Sequence, residues 1–130
     1  MDAPQIVVDA ANVIGSRPDG WWRDRAGAAE RLLAELRRRH IADEAEVTVV
    51  LEGAARAGAE VGSADGLSVV HAAGSGDDAI VDLVAAAVHE APDRPVIVVT
   101  ADRELRHRVE VLGAQTQGPR WLFHRLDGTC

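Results

Sequence analysis

The stretch Gln5-Ile6-Val7-Val8-Asp9 decides the fold class, because an unbroken apolar run ends there in a carboxylate. A strand that is buried on both faces shows no alternation of apolar and polar residues, and such strands are typical of parallel sheets covered by helices. The same kind of run recurs along the chain, at residues 47–52, 67–71 and 96–100. The sequence therefore predicts a mostly parallel β-sheet.

Helical patterns separate these apolar runs. After Asp24, apolar side chains recur at Ala29, Leu32, Leu33 and Leu36, which places them on one face of a helix. The predicted helices run from Asp24 to about Arg39, from Asp77 to about Glu90, from about Asp102 to Leu112, and, for a short one, around residues 54–61. Strands that alternate with helices indicate a three-layer α/β/α arrangement. We expect a fifth strand, residues 121–125, at the edge of the sheet.

The length and composition exclude several classes of protein. A chain of 130 residues corresponds to one domain, so we expect a single domain over residues 1–130. The formal charge is −7, and all 14 basic residues are arginine. The absence of lysine excludes an ordinary P-loop nucleotidase and a Schiff-base enzyme. The net negative charge makes a non-specific DNA coat a poor candidate.

Cysteine and hydropathy point to a soluble cytoplasmic protein. Cys130 is the only cysteine, so the chain has neither an intramolecular disulfide nor a zinc-finger spacing. No apolar run approaches the roughly 20 residues that a membrane-spanning helix needs. The first eight residues lack the basic and apolar segments of a secretory signal.

Five carboxylates lie next to the ends of the predicted strands. Asp9 and Glu52 end the first and second strands, and Asp102 follows the fourth, while Asp77 and Asp78 open the helix before it. In open parallel sheets, binding sites form at the carboxyl ends of the strands, near the point where the strand order reverses. These side chains are therefore expected to share one edge of the sheet.

A hard divalent cation explains why a fold would collect carboxylates there. Two carboxylates about 4 Å apart repel by roughly 4 kcal/mol at an effective dielectric constant of 20. Mg²⁺ or Mn²⁺ prefers oxygen ligands and activates water against a phosphodiester. Asn12, three residues beyond Asp9, offers an amide that orients a water molecule or a phosphate.

Each carboxylate also has a purely structural interpretation. Asp77, Asp78 and Asp102 lie where helix caps are expected, and Glu52 precedes a glycine in a turn. Asp9 is harder to explain this way, because aspartate is depleted in strands and its neighbours are apolar. The inference of a functional site therefore rests on the whole set of carboxylates.

Two adjacent tryptophans are candidates for contact with nucleic acid. Trp21 and Trp22 lie among Arg17, Arg23 and Arg25, a mixture that stacks on bases and follows a phosphate backbone. The alternative is that at least one tryptophan fills the core. Thr100 and Ser75 act as nucleophiles only beside a histidine base, so capping of helices is the simpler role for both.

Three motifs resemble the NYN domains, and in particular the YacP-like branch of the PIN-like ribonuclease superfamily. They are Ile6-Val7-Val8-Asp9-Ala10-Ala11-Asn12-Val13-Ile14, Gly74-Ser75-Gly76-Asp77-Asp78-Ala79-Ile80, and Val98-Val99-Thr100-Ala101-Asp102-Arg103. The resemblance extends in order from Ile6 to about Phe123. It implies a PIN-like sheet of order 3-2-1-4-5 and a ribonuclease that depends on Mg²⁺ or Mn²⁺.

The resemblance also implies roles for individual residues. It makes Asp9, Asp78 and Asp102 the metal ligands, with Asp77 and Asn12 completing the catalytic set. Arg103 is expected to touch a phosphate. With Trp22 and Arg25 from the segment that contains the two tryptophans, the candidate substrate contacts are Ser75, Trp22, Arg25 and Arg103.

Two other functions stay open at this point. The same acidic metal site would hydrolyse a nucleotide phosphoanhydride, although the tandem Glu-x-x-Glu helices that favour this reaction are missing. Alternatively, the chain is a non-catalytic PIN-like domain that binds RNA or a protein partner. The expected partner is RNA rather than a membrane, and the oligomeric state is open.

Overall fold

The computed structural model describes residues 3–39 and 44–127, and within them the chain forms a six-stranded sheet of order β3-β4-β2-β1-β5-β6. The strands are β1 Gln5–Asp9, β2 Glu46–Leu51, β3 Gly62–Ala64, β4 Leu67–His71, β5 Val96–Val99 and β6 Gln115–Gln117. The helices are α1 Ala10–Gly15, α2 Arg25–Arg38, α3 Gly76–Glu90, α4 Arg103–Val111 and α5 Pro119–Leu126. Short 3₁₀ helices span Trp21–Arg23 and Gly53–Gly58.

The sheet is parallel except at one edge. β1 pairs in parallel with β2 and β5, β2 with β4, and β5 with β6, whereas the short β3 pairs antiparallel with β4. The first four predicted strands are β1, β2, β4 and β5, so the implied order 3-2-1-4 is confirmed. The strand order reverses between β1 and β5, and this is the position where a parallel sheet forms a crevice.

Two apolar clusters cover the two faces of the sheet, which confirms the three layers. On one face Leu33 of α2 and Leu122 of α5 pack in a cluster with Val8 and Val49. On the other face α3 and α4 pack against the remaining side of the same strands. The buried side chains of this second cluster include Val7, Val98, Ile80, Val84, Leu105 and Val109.

The predicted fifth strand is wrong. Residues 121–125 belong to α5, which begins with Pro119, and the edge strand is the polar segment Gln115–Gln117. The buried residues Pro119, Leu122 and Leu126 have helical spacing, and proline is favoured in the first turn of a helix. The aromatic residues of this segment favour a strand by composition, but the spacing of its buried residues is that of a helix.

The structure adds α1, which the sequence patterns do not predict, and it makes the short helix near residue 54 a 3₁₀ helix. α1 follows β1 without a connecting loop, because Asp9 ends the strand and also caps the helix. No helix among the described residues is long and apolar enough to cross a membrane.

Candidate functional site

Asp9 lies at the carboxyl end of the central strand and is almost completely buried, with 6% of its surface exposed. Its carboxylate accepts hydrogen bonds from the backbone N–H of Asn12, at 3.4 Å, and from the hydroxyl of Thr100, at 2.9 Å. Burial raises the pKa of Asp9 to about 6, although both hydrogen bonds act to lower it. The negative charges of Asp77 and Glu52 raise this pKa further.

Thr100 and Asn12 connect the two central strand ends. The Thr100 hydroxyl, which donates to Asp9, also accepts the backbone N–H of Asp102 at 3.1 Å. The Asn12 amide oxygen accepts the backbone N–H of Ala101 at 2.8 Å. The segment after β5 is therefore fastened to the start of α1 by side chains, and the position of Asp9 relative to Asp102 is set by these hydrogen bonds.

Asp102, the N-cap of α4, and Asp77, in the first turn of α3, interact electrostatically. Asp102 caps α4 by accepting the backbone N–H of Leu105 at 2.9 Å, so the predicted capping role is real. Burial raises the pKa of Asp77, and the charges of Asp102 and Glu52 raise it further. The charges of these carboxylates thus act on one another across the crevice.

Glu52 joins this set from the end of β2. Its Oε2 accepts the backbone N–H of Gly76 at 2.5 Å, which places a carboxylate at the first residue of α3. A Cβ at Gly76 would lie 3.1 Å from the same oxygen, so a side chain there would require the Glu52 carboxylate to shift by a few tenths of an ångström. The charge of Glu52 raises the pKa of both Asp9 and Asp77. Glu52 is therefore part of the acidic crevice, beyond any role in a turn.

Asp78 does not face the crevice. Its side chain is 73% exposed and forms an ion pair with Arg108 of α4 at 3.0 Å. Ser75 caps α3 through the backbone N–H of Asp78. The acidic position of this motif that faces the other carboxylates is therefore Asp77, whereas the resemblance had made Asp78 the metal ligand.

The donor atoms of the crevice suit a hard divalent cation in their chemistry. Asp9, Asp77 and Asp102 offer carboxylate oxygens, and a cation among them would offset the repulsion that raises the pKa of Asp9 and Asp77. Within residues 3–39 and 44–127, however, no three side chains of His, Cys, Asp or Glu are arranged closely enough to hold a metal ion. One carboxylate oxygen of Asp9 already accepts the hydroxyl of Thr100, and one of Asp102 accepts the backbone N–H of Leu105.

A cavity of about 350 Å³ adjoins the crevice at Glu52, and Trp21 and Arg25 line it. Trp22 is 55% exposed and does not line the cavity; its ring meets that of Trp21 edge-on, with the centroids 5.9 Å apart. Arg103 is exposed at the first position of α4, directly after Asp102. Of the predicted substrate contacts, Arg25 lines this cavity together with Trp21, whereas Trp22 and Arg103 are exposed outside its lining.

Two residues organise the site in ways that the sequence patterns do not indicate. Thr100 does not cap a helix as expected, because the N-cap of α4 is Asp102; its hydroxyl instead contacts both Asp9 and the backbone of Asp102. Arg108 pairs with Asp78, and its charge lowers the pKa of Asp77. The role of Thr100 could have been inferred from its position as a polar residue directly after a buried strand. No local sequence pattern indicates a role for Arg108.

Comparison with known proteins supports the fold. No protein-family model matches the sequence, and no curated protein matches it either. The structure of Rae1 (YacP) from Bacillus subtilis is similar, with a TM-score of 0.75 and 19% identity over 99% of this chain and 75% of that chain. A mutant of the same protein gives a TM-score of 0.77 and 18% identity, over 97% of this chain and 76% of that chain. This chain therefore has a YacP-like α/β fold, and the resemblance predicted from its three motifs is confirmed for the fold.

Proposed function

We propose that this protein hydrolyses RNA phosphodiester bonds in the acidic crevice between β1 and β5. The observation that carries the proposal is that Asp9, Asp77 and Asp102 come from separate elements and yet are linked at one edge of the sheet: Thr100 bridges Asp9 and the backbone of Asp102. The charge of Asp77 raises the pKa of Asp9, and the charge of Asp102 raises that of Asp77. Mutual repulsion and desolvation of this kind reduce stability, and they are found most often at functional sites. The YacP-like fold agrees with a ribonuclease.

The proposed cofactor is Mg²⁺ or Mn²⁺, held by Asp9, Asp77 and Asp102. When bound, such a cation supplies an activated water and neutralises charge on the phosphate that is attacked. We assign the ligand position of the second motif to Asp77, because Asp78 faces Arg108. Glu52 adds negative charge beside the ligands and strengthens the attraction for a cation.

The other residues of the crevice hold and orient these groups. Thr100 fixes the carboxylate of Asp9, and Asn12 fixes the loop that carries Asp102. Because the Asn12 oxygen accepts the N–H of Ala101, its NH₂ group is the part of the amide that would donate to a phosphate oxygen. Arg103, next to Asp102, provides a guanidinium for a flanking phosphate.

The proposal is tested by incubating structured and unstructured RNA with the protein and Mg²⁺ or Mn²⁺. We expect cleavage that falls about 100-fold or more in Asp9→Asn and in Asp102→Asn, since each removes a charged ligand. Thr100→Ser keeps the hydroxyl that orients Asp9 and serves as the matched control, with activity close to wild type. Wild-type cleavage that survives both asparagine substitutions would contradict the assigned site.

A non-catalytic RNA-binding domain is the second candidate. It is favoured by one observation, which is that Trp21 and Arg25, side chains suited to stacking on a base, line a cavity beside Glu52. Binding of RNA without cleavage under any divalent metal would support this candidate. Release of phosphate from nucleotides, with RNA left intact, would instead indicate a phosphoanhydride hydrolase.

A further inference from the structure

The cavity beside the crevice has the size and lining of a binding pocket for a flat ring. Its volume is about 350 Å³, and small apolar side chains form part of its lining, among them Ala11 and Ala55. Ile14 of α1 adds a larger apolar surface. Pockets that are mostly apolar and carry a few placed polar groups are typical sites for aromatic ligands.

Trp21 contributes an aromatic ring to the lining of this cavity, and Arg25 contributes a guanidinium group. The guanidinium carbon of Arg25 lies 5.4 Å from the centroid of the Trp21 ring. Unpaired bases stack both on aromatic rings and on the planes of arginine side chains. Arg25 also contributes a positive charge that offsets the approach of a phosphate backbone to an acidic site.

Glu52 supplies a hydrogen-bonding group in the lining of the cavity. Its Oε2 is held by the backbone N–H of Gly76, so the orientation of the carboxylate is fixed and Oε1 remains an acceptor. A carboxylate accepts hydrogen bonds from an exocyclic amino group, such as that of cytosine, and it repels a carbonyl oxygen. Because Glu52 lines the cavity and accepts the N–H of Gly76, which directly precedes Asp77, the cavity opens beside the proposed cleavage site.

We propose that this cavity binds one unpaired nucleobase of the RNA and selects a base with an exocyclic amino group, so that cytosine is preferred over uracil. The identity of the ligand as RNA rests on the proposed function. Cytosine and uracil form the sharpest pair for a test, because they have the same ring size and differ where the amino group of one is replaced by a carbonyl of the other. The base stacks against Trp21 and Arg25, and its amino group donates to Glu52.

The selectivity is measured by the fluorescence anisotropy of labelled heptamers of cytidine and of uridine, in EDTA so that no cleavage occurs. We expect wild-type protein to bind the cytidine heptamer about tenfold more tightly, which is within the range for one good base contact. Glu52→Gln should reduce the ratio to within about twofold, since an amide both donates and accepts. Equal affinities in the wild type, or an unchanged ratio in Glu52→Gln, would overturn the proposal.

The stacking is tested by a matched pair of tryptophan variants. Trp21→Leu should weaken the binding of both heptamers about tenfold, whereas Trp22→Leu should change either by less than about twofold. Because Trp21 also packs against the core, Trp21→Phe keeps an aromatic ring there and should cost only about threefold. Thermal unfolding verifies that each variant is folded. An equal loss in Trp22→Leu and Trp21→Leu, or no loss in Trp21→Phe and Trp21→Leu, would overturn the stacking.

The two proposals fail in distinguishable ways. RNA cleavage that is indifferent to cytosine and uracil, with equal binding of the two heptamers, contradicts the base pocket and leaves the proposed reaction intact. Cytosine-selective binding without cleavage under any metal supports the base pocket and contradicts the proposed reaction.

Discussion

The hydroxyl of Thr100 donates a 2.9 Å hydrogen bond to the carboxylate of Asp9, although the two residues lie 91 positions apart in the chain. Both are buried, at the ends of neighbouring parallel strands. The same hydroxyl accepts the backbone N–H of Asp102. One threonine therefore sets the distance between the two strand-end carboxylates of the crevice.

Removing this hydroxyl tests the link. Thr100→Val is nearly isosteric but removes the hydroxyl donor to Asp9 and leaves only the backbone N–H of Asn12, so the free energy of unfolding should fall by about 1–3 kcal/mol at pH 7. The pKa of Asp9 should rise further above its usual value, because the hydrogen bond from Thr100 lowers it. Urea unfolding and NMR titration of the Asp9 carboxyl measure the two effects. Thr100→Ser, the control, should stay near wild type, and a valine variant that matches it would refute the link.

The raised pKa of Asp9 predicts how stability depends on pH. The folded-state pKa is about 6 and the ordinary value is 3.8, so the folded state binds the proton more tightly. This contribution to stability is complete below about pH 3.8 and is lost as the pH rises through about 6. The rise corresponds to about 3 kcal/mol. Asp77 changes stability in the same direction, because its pKa is also raised.

The part that belongs to Asp9 is isolated with Asp9→Asn. In EDTA, the variant should gain stability relative to the wild type between pH 4 and pH 7, by about 2 kcal/mol, since part of the effect lies below pH 4. Urea unfolding of both proteins at the two pH values gives this difference directly. A difference that stays constant, or that changes in the opposite direction, would show that the carboxyl of Asp9 is not desolvated as described.

Close packing of α2 on the 3₁₀ helix predicts a sensitive glycine. A Cβ at Gly58 would collide with the backbone oxygen of Ala26 and lie 2.9 Å from the Cβ of Ala29. Gly58→Ala should therefore lower the free energy of unfolding by about 1–3 kcal/mol, as overpacking does elsewhere. Gly62 has no atom within 4 Å of an added Cβ, so Gly62→Ala is the matched control. Equal stabilities of the two variants in urea would argue against this packing.

Much of the fold was readable from the sequence, because buried parallel strands and amphipathic helices leave strong patterns. β1, β2, β4 and β5 stand out as apolar runs, and α2 and α3 as periodic segments. The edge strand β6 was missed because Gln115–Gln117 is short and polar and carries no such pattern. Residues 121–125 were misassigned because aromatic side chains favour strands on average, whereas here packing of Leu122 and Leu126 fixes a helix.

The location of the candidate site at the ends of the strands was predictable from the sequence, but not which side chains point into it. The carboxyl ends of the strands located Asp9 and Asp102 correctly, because that relationship follows from sheet topology. Adjacent residues on a helix point about 100° apart, so whether Asp77 or Asp78 faces the crevice depends on how α3 is rotated on the sheet. That rotation is set by the burial of Ile80 and Val84 against β-strands from elsewhere in the chain.

Comparison of Asp77 with its neighbour Asp78 gives the most direct test that RNA is cleaved in the acidic crevice. The measurement is the rate of RNA cleavage in Mg²⁺ or Mn²⁺ by the wild type, Asp77→Asn and Asp78→Asn. Each substitution removes one charge from the same turn of α3, but only the charge of Asp77 acts within the acidic crevice. Loss of the exposed Asp78–Arg108 ion pair should lower the free energy of unfolding by less than about 1 kcal/mol. We expect Asp77→Asn to lose about 100-fold or more in rate and Asp78→Asn to stay within about threefold of the wild type. Cleavage by Asp77→Asn at the wild-type rate, or loss of activity in Asp78→Asn alone, would contradict this account.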